Sequence, residues 1–182
     1  MKRYKIIALI GESGSGKDTL LKRVLEECPN LHEIVSCTTR PPREGEINGK
    51  NYFFLTYNEF AEKVLNMEML EACQFRDWFY GTCFDSLDSN LINIGVFNPS
   101  GIYALLEYSN IDLIVYYIKA NDKERLMRQL NREENPDIEE IFRRYKTDKK
   151  DLKFLDFDYT LINNNNEEEL LIAINKIKNN II

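Results

Sequence analysis

The chain shows two spacings of apolar residues, short continuous runs and repeats with a helical period. The first run covers positions 6–10 and ends at Gly11. A short apolar run with β-branched residues is typical of a buried strand, so a strand is predicted at Tyr4–Ile10. Further apolar residues, at positions 20, 21, 24 and 25, then share one helical face. This spacing predicts a helix at Lys17–Glu27, which Pro29 ends.

The same spacings recur through the rest of the chain. Apolar runs predict further strands at 31–35, 51–56, 70–75, 78–80, 91–97, 111–118 and 159–162. Helical repeats predict further helices at 57–66, 99–108, 122–132, 167–177 and from residue 137 onward. Because the run at 111–118 is almost wholly apolar, we expect it to be a central strand.

Strands that alternate with helices indicate an α/β fold with a central parallel sheet and helices on both faces. One stretch, 36–83, interrupts this alternation with sequence rich in strands and loops. Its first part, 36–46, holds two prolines, a glycine and two arginines, which is typical of a polar loop. We therefore expect an insertion at the carboxyl ends of the sheet strands, where such folds bind ligands.

Composition narrows the class of protein further. At 182 residues, with 43% hydrophobic and 30% charged residues, the chain fits one soluble domain with its own core. The net charge of −6 argues against binding of nucleic acid through backbone phosphates, although local arginines can still attract a small anion. Four cysteines without a C-x-x-C pair and a single histidine argue against zinc, so we expect free thiols in a reducing compartment.

Nothing in the sequence predicts export or membrane insertion. Lys2 and Arg3 precede an apolar run, but that run is shorter than in a signal peptide and no cleavage site follows it. No apolar stretch reaches the ~20 residues of a membrane span. We therefore expect a cytoplasmic protein.

The segment between the first strand and the first helix has the spacing of a phosphate-binding loop. It reads Gly11-Glu12-Ser13-Gly14-Ser15-Gly16-Lys17, which fits G-x-x-x-x-G-K. Glycines let the backbone turn several N–H groups toward one anion, and the helix start and the lysine add positive charge. Such a loop indicates a nucleoside triphosphate as ligand. Its expected contacts are Gly11, Ser13, Gly14, Ser15, Gly16, Lys17, Asp18 and Thr19.

Asp18 departs from the usual pattern, because a serine or threonine that contacts Mg²⁺ normally follows the lysine of such a loop. A carboxylate next to phosphates is repulsive unless a metal ion or its water shell lies between them. We therefore predict that Asp18 contacts Mg²⁺, directly or through water.

Three residues of the insertion suit contact with a phosphate or with a nucleotide base. Arg40 and Arg43 lie three positions apart in the proline-containing loop. Two guanidinium groups held close together suit bidentate contact with a phosphate, although a solvated basic loop has the same composition. Glu71 lies in a largely apolar segment, where its carboxylate can accept hydrogen bonds from the N–H edge of a base. A surface carboxylate is the alternative for Glu71.

Several motifs together resemble those of guanylate kinases, in the same order and at the same spacing over nearly the whole chain. The first fits S-x-T-T-R-x-x-R-x-x-E-x-x-G-x-x-Y-x-F through Ser36, Thr38, Thr39, Arg40, Arg43, Glu46, Gly49, Tyr52 and Phe54. The others are Glu71 followed by Tyr80-Gly81-Thr82, then Ile141-x-x-Arg144, then Phe157-Asp158-Tyr159.

The resemblance implies a single kinase domain, 1–182, in three parts. The parts are a core at 1–35, 84–122 and 148–182, an insertion that binds the nucleoside monophosphate at 36–83, and a helical lid at 123–147. The implied catalytic residues are Lys17, Arg43, Arg132 and Arg144, with Arg128 as a further ATP contact. The implied acceptor contacts are Arg40, Arg43, Tyr52 and Tyr80 for the phosphate, and Ser36, Glu71, Thr82 and Asn98 for the base.

Two segments depart from the family pattern. Asn98 stands where the family has an aspartate that helps to read guanine, and an amide can donate as well as accept hydrogen bonds. In the lid, Arg128 and Arg132 fit the family's R-L-x-x-R only with a shift. The exact acceptor base and the acting lid arginine therefore stay open.

The resemblance implies transfer of the ATP γ-phosphoryl group to GMP or dGMP, with Mg²⁺, giving ADP and GDP or dGDP. One alternative is a kinase for a different (deoxy)nucleoside monophosphate. The other is a guanylate-kinase-like binding module without catalysis, against which the intact Gly16 and Lys17 and the lid arginines argue. We expect ATP and a nucleoside monophosphate as partners, no nucleic acid or membrane, and a monomer or homodimer.

Overall fold

Each predicted strand and helix has a counterpart in the computed structural model, which describes residues 2–43, 45–75, 77–132, 135–163 and 166–181. The strands are β1 Tyr4–Ile10, β2 Leu31–Glu33, β3 Cys37–Thr38, β4 Phe53–Phe54, β5 Met69–Phe75, β6 Trp78–Cys83, β7 Ile92–Val96, β8 Ile111–Lys119 and β9 Tyr159–Ile162. The helices are α1 Lys17–Glu27, α2 Tyr57–Leu65, α3 Pro99–Leu106, α4 Asp122–Leu130, α5 Ile138–Asp151 and α6 Glu167–Asn179. A 3-10 turn at Phe84–Ser86 follows β6.

The larger sheet has β1 as its middle strand, in the order β2-β7-β1-β8-β9. The β2–β7 and β8–β9 pairs are parallel. The residues at 6–10 are at most 1% exposed, as expected of a strand covered on both faces. We expected β8 to be central, and it has a neighbour on both sides without being the middle strand. The predicted fold class, α/β with a central parallel sheet and flanking helices, is confirmed.

A smaller sheet forms within the stretch that interrupts the alternation, in the order β4-β3-β6-β5. β5 and β6 are an antiparallel pair, and β3 pairs with β6 antiparallel and with β4 parallel. The loop predicted at 36–46 is therefore wrong at Cys37 and Thr38, which form β3. Thr38 is fully buried and its hydroxyl donates to the Phe79 carbonyl at 3.0 Å. A polar residue in a two-residue strand produces no apolar run, so the sequence pattern could not reveal it.

The chain divides into two compact units. The strand-rich unit, which contains the smaller sheet, comprises Met1–Ile6, Asn30–Gly95 and Ser100–Leu113. The phosphate-loop unit comprises Ile7–Pro29, Val96–Pro99 and Ile114–Ile182. The predicted boundaries of the insertion at 36–83 and of the lid at 123–147 stay predictions.

Helices α1 and α6 pack against each other in the phosphate-loop unit. Val24 on α1, and Ile174 and Ile177 on α6, are fully buried. This packing fixes α1, whose first residue ends the phosphate loop. None of the helices in the described ranges is long and apolar enough to cross a membrane.

Candidate active site

The phosphate loop, residues 11–17, turns through two glycines in the left-handed region. Gly14 has a φ of 78° and Gly16 a φ of 87°, which residues with a side chain rarely adopt. A Cβ atom on Gly14 would also lie 2.5 Å from the carbonyl oxygen of Arg125. Gly16 caps α1, and its carbonyl accepts the N–H of Leu20 at 3.0 Å. The loop therefore leads directly into a helix N-terminus, whose free N–H groups favour an anion.

Consecutive carbonyl groups of the loop are held by side chains from distant parts of the chain. The pairs are Ser13 O with Arg125 Nε at 3.1 Å, Gly14 O with an Arg128 guanidinium nitrogen at 3.1 Å, and Ser15 O with Asn163 Nδ2 at 2.9 Å. Because a peptide plane carries C=O and N–H on opposite sides, the N–H groups of the following residues point away from these donors. The N–H group of Ser15 donates within the loop to the Glu12 carbonyl oxygen at 3.1 Å, so the N–H groups of Gly14 and Gly16 are the ones placed to bind an anion in a backbone nest.

The Lys17 side chain folds back over its own loop. Its ammonium group donates to the carbonyl oxygens of Gly11 at 2.8 Å and Glu12 at 3.1 Å. Burial lowers the pKa of Lys17, and the nearby carboxylates of Asp18 and Asp148 oppose that shift. A partly buried ammonium group paired with carbonyl oxygens gains from a further negative charge, so Lys17 is placed to meet a phosphate.

Asp18 and Thr19 are exposed in the first turn of α1, directly after Lys17. Mg²⁺ takes oxygen ligands and is usually held by one or two carboxylates together with substrate phosphates. A carboxylate and a hydroxyl beside the phosphate loop fit that kind of site. No group of three His, Cys, Asp or Glu residues in the described part of the chain forms a metal cage. The Asp18 charge also suits the positive end of the helix dipole without a metal.

The predicted arginines of the lid region lie in three different surroundings. Arg128, on α4, donates to the carbonyl oxygen of Gly14 at 3.1 Å. Arg144, on α5, donates to the carboxylate of Glu140 at 2.7 Å. Arg132 is exposed just after α4. The structure therefore brings Arg128 to the phosphate loop as a support for its backbone, while phosphate contacts by Arg132 and Arg144 stay predictions.

Three residues predicted to read the acceptor base form one hydrogen-bonded chain in the strand-rich unit. Thr82 Oγ1 donates to Glu71 Oε1 at 2.8 Å and lies 3.3 Å from the hydroxyl oxygen of Ser36. Burial raises the pKa of Glu71, and the hydrogen bond from Thr82 opposes that shift. Glu71 Oε2 has no hydrogen bond to any residue that the structure describes. A carboxylate oxygen of this kind can accept a hydrogen bond from a base.

The residues predicted to hold the acceptor phosphate gather around Arg40 in the same unit. Its guanidinium group pairs with Glu46 Oε1 at 2.9 Å and lies 5.7 Å from the ring centre of Tyr52. The rings of Tyr52 and Tyr80 meet edge-on at 6.0 Å. Glu46 Oε2 accepts the backbone N–H of Arg43 at 2.7 Å. One carboxylate therefore orients both arginine positions, and its hydrogen bond from Arg40 lowers the pKa of Glu46.

Three supporting residues, Glu46, Arg125 and Asn163, had no predicted role. Glu46 belongs to the first quoted motif, so that motif was the signal that could have identified it. Arg125 and Asn163 contact the loop from 112 and 148 residues away, and no local pattern signals such a contact. Asn98 is exposed between β7 and α3, and its part in reading a base stays a prediction.

The loop, the lysine and the helix that follow the middle strand of a parallel sheet define a P-loop nucleotide-binding protein. Residues 3–180 match the family model described as guanylate kinase. The chain is 34% identical to the guanylate kinase of Wolbachia pipientis wMel, over 94% of this chain and 89% of that protein. It is 35% identical to the guanylate kinase of Synechococcus sp. (strain JA-3-3Ab), over 92% of this chain and 79% of that protein. The chain therefore belongs to the guanylate kinase family.

A solved structure is similar in fold. The crystal structure of guanylate kinase from Anaplasma phagocytophilum matches with a TM-score of 0.71 and 23% identity, over 100% of this chain and 88% of that one. The family resemblance carried by the sequence motifs is confirmed, and so is the prediction that the chain is a phosphotransferase.

Replacing Glu46 by Gln removes the charge that pairs with Arg40 and keeps the size of the side chain. We expect KM for the acceptor nucleotide to rise about tenfold, because a hydrogen bond to a charged group contributes about 1.5–3 kcal/mol. Steady-state kinetics with the acceptor varied measure this change. Glu62→Gln, at an exposed position on α2, is the matched control. An unchanged acceptor KM in Glu46→Gln contradicts the assigned role.

The raised pKa of Glu71 gives a pH dependence with a definite sign. Its pKa lies above the 4.5 of an ordinary glutamate, so ionised Glu71 destabilises the fold, and this cost appears as pH rises through the folded pKa. Glu71→Gln removes the cost, so we expect a melting temperature above that of wild type at pH 7.5 and no gain below pH 4.5. Thermal unfolding against pH measures both, and a lower melting temperature at pH 7.5 would count against the burial argument.

Proposed function

We propose that this chain transfers the γ-phosphoryl group of ATP to GMP, giving ADP and GDP. The observation that carries the proposal is the Glu71–Thr82–Ser36 chain of hydrogen bonds in a member of the guanylate kinase family. That chain offers a carboxylate to the N–H edge of a base, and the same protein keeps a phosphate loop with its lysine. The hydrogen-bonded chain suits the nucleotide that accepts the phosphoryl group, and the phosphate loop suits the nucleotide that donates it.

Guanine suits the acceptor group because its Watson–Crick edge carries adjacent N–H groups. The Glu71 carboxylate accepts hydrogen bonds from that edge, and the Ser36 and Thr82 hydroxyls add adaptable contacts. Adenine presents an acceptor nitrogen at the same position, so a carboxylate there disfavours adenine. The phosphate of GMP lies with Arg40, Arg43, Tyr52 and Tyr80, which combine charge with hydroxyl donors.

Phosphoryl transfer needs positioning and positive charge more than covalent help. The N–H groups of the phosphate loop and the Lys17 ammonium group hold the β- and γ-phosphates of ATP. An oxygen of the GMP phosphate forms a bond to the γ-phosphorus while the bond from that phosphorus to the β-phosphate oxygen breaks, and ADP leaves. Arg132 and Arg144 of the lid neutralise charge on the transferring group, and closure keeps water out.

Mg²⁺ accompanies ATP in this proposal. Asp18 would hold it through a carboxylate oxygen or a bound water, with Thr19 beside it and substrate phosphates as the remaining ligands. The ion supplies charge neutralisation on the phosphates when it is bound. We also propose a cytoplasmic location, which the free thiols of Cys28, Cys37, Cys73 and Cys83 support, because a reducing compartment maintains them.

An ADP-release assay over the common nucleoside and deoxynucleoside monophosphates tests the function. We expect turnover with GMP and dGMP, and a kcat about 100- to 1,000-fold lower in Lys17→Met, because one charged donor to the transferring group is lost. Lys22→Met, on the same helix, is the matched control. Preference for an adenine or pyrimidine monophosphate contradicts the guanine assignment. ATP binding without turnover of any monophosphate indicates a non-catalytic module instead.

A further inference from the structure

One backbone N–H group of the phosphate loop donates a hydrogen bond to a side-chain carboxylate. Asp148, on α5, accepts the backbone N–H of Ser13 through Oδ2 at 2.5 Å. Ser13 is the third residue of the G-x-x-x-x-G-K segment, so its N–H belongs to the loop that binds donor phosphates. Asp148 also contributes to the electrostatic environment of the Lys17 ammonium group. A side-chain anion therefore sits among the groups that bind the triphosphate.

Arg125 holds this carboxylate and the loop together. The Arg125 side chain is fully buried, and its Nε donates to the carbonyl oxygen of Ser13 at 3.1 Å. One terminal nitrogen lies 3.6 Å from Asp148 Oδ2. The other lies 3.0 Å from Asp122 and 3.4 Å from Glu12. Arg125 therefore contacts the Ser13 carbonyl group directly. It is linked to the Ser13 N–H group indirectly, through the Asp148 carboxylate.

Of the three ion pairs of Arg125, the one with Asp148 can break without leaving the guanidinium group unpaired. The Arg125 nitrogen facing Asp148 makes no hydrogen bond in the described part of the chain, so this contact is ionic and long. If Asp148 leaves, Arg125 keeps the carboxylates of Asp122 and Glu12, and no buried cation is left unpaired. The Asp148 side chain is 17% exposed, which gives the departing carboxylate access to water.

We propose that Asp148 is an anionic latch of the donor site, bound to the Ser13 N–H until the phosphates of ATP displace it. The proposal rests on the phosphate loop being the donor site, as proposed above. Two anions cannot share one N–H donor, and like charges this close repel each other. Asp148 therefore holds the loop in its binding shape and lowers its affinity for ATP. It acts as a positioning residue that tunes affinity for the donor.

Asp148→Asn tests the latch, because the amide oxygen can still accept the Ser13 N–H while the negative charge is lost. The measurement is calorimetric titration with ATP, without Mg²⁺ or acceptor, so that no turnover occurs. We expect ATP to bind about tenfold tighter than to wild type, and inorganic tripolyphosphate to gain by a similar factor. Adenosine, which has no phosphate, should show no gain. Asp151→Asn, at an exposed position on the same helix, should stay within about twofold of wild type.

Three other results would overturn the latch or the donor site on which it rests. Unchanged or weaker ATP binding by folded Asp148→Asn overturns the latch, because a purely structural carboxylate gives no gain on neutralisation. Asp148→Ala provides the same comparison if the asparagine variant does not fold, again with tighter binding expected. A gain equal for adenosine and ATP also overturns it. Wild-type protein with no affinity for ATP or tripolyphosphate would overturn the proposed donor site itself, and the latch with it.

Discussion

A loop that offers its N–H groups to an anion must find other partners for its carbonyl groups, and the donor site depends on this constraint. In this chain the partners are side chains of Arg125, Arg128 and Asn163. Two of them come from α4 and the third follows β9, so the loop has its shape only when these elements are in place. Several elements of the phosphate-loop unit therefore act together to hold the backbone of residues 13–15 in place.

Carboxylates hold several of the arginines that are predicted to contact phosphates. Glu46 orients Arg40 and the backbone of Arg43, and Glu140 holds Arg144. The side chains of Arg40 and Arg144 each pair with a neighbouring carboxylate in their own unit. Binding of polyanions by a chain with a net charge of −6 is then a matter of local arrangement, since the field near a ligand depends on the nearest groups.

The sequence predicted the parts of this structure that have a local pattern. The phosphate loop, α1 and nearly all strands follow from apolar spacing and from glycine positions. The family motifs named Arg40, Tyr52 and Tyr80, whose side chains lie together in the structure. β3 was not predicted, because a two-residue strand that contains a buried threonine has no apolar run. The contact of Arg128 with the Gly14 carbonyl could not be predicted, because it joins residues 114 positions apart. Such contacts depend on the folded path of the chain and leave no local periodicity.

The fate of the γ-phosphoryl group distinguishes transfer to a second nucleotide from hydrolysis by water. ATP labelled in its γ-phosphate is incubated with the protein, Mg²⁺ and GMP, and the labelled products are separated. Transfer between two nucleotides predicts label in the β-phosphate of GDP, with little inorganic phosphate, because the acceptor phosphate and not water is positioned for attack. Label that appears in inorganic phosphate, or in no product at all, would contradict transfer of the phosphoryl group to GMP.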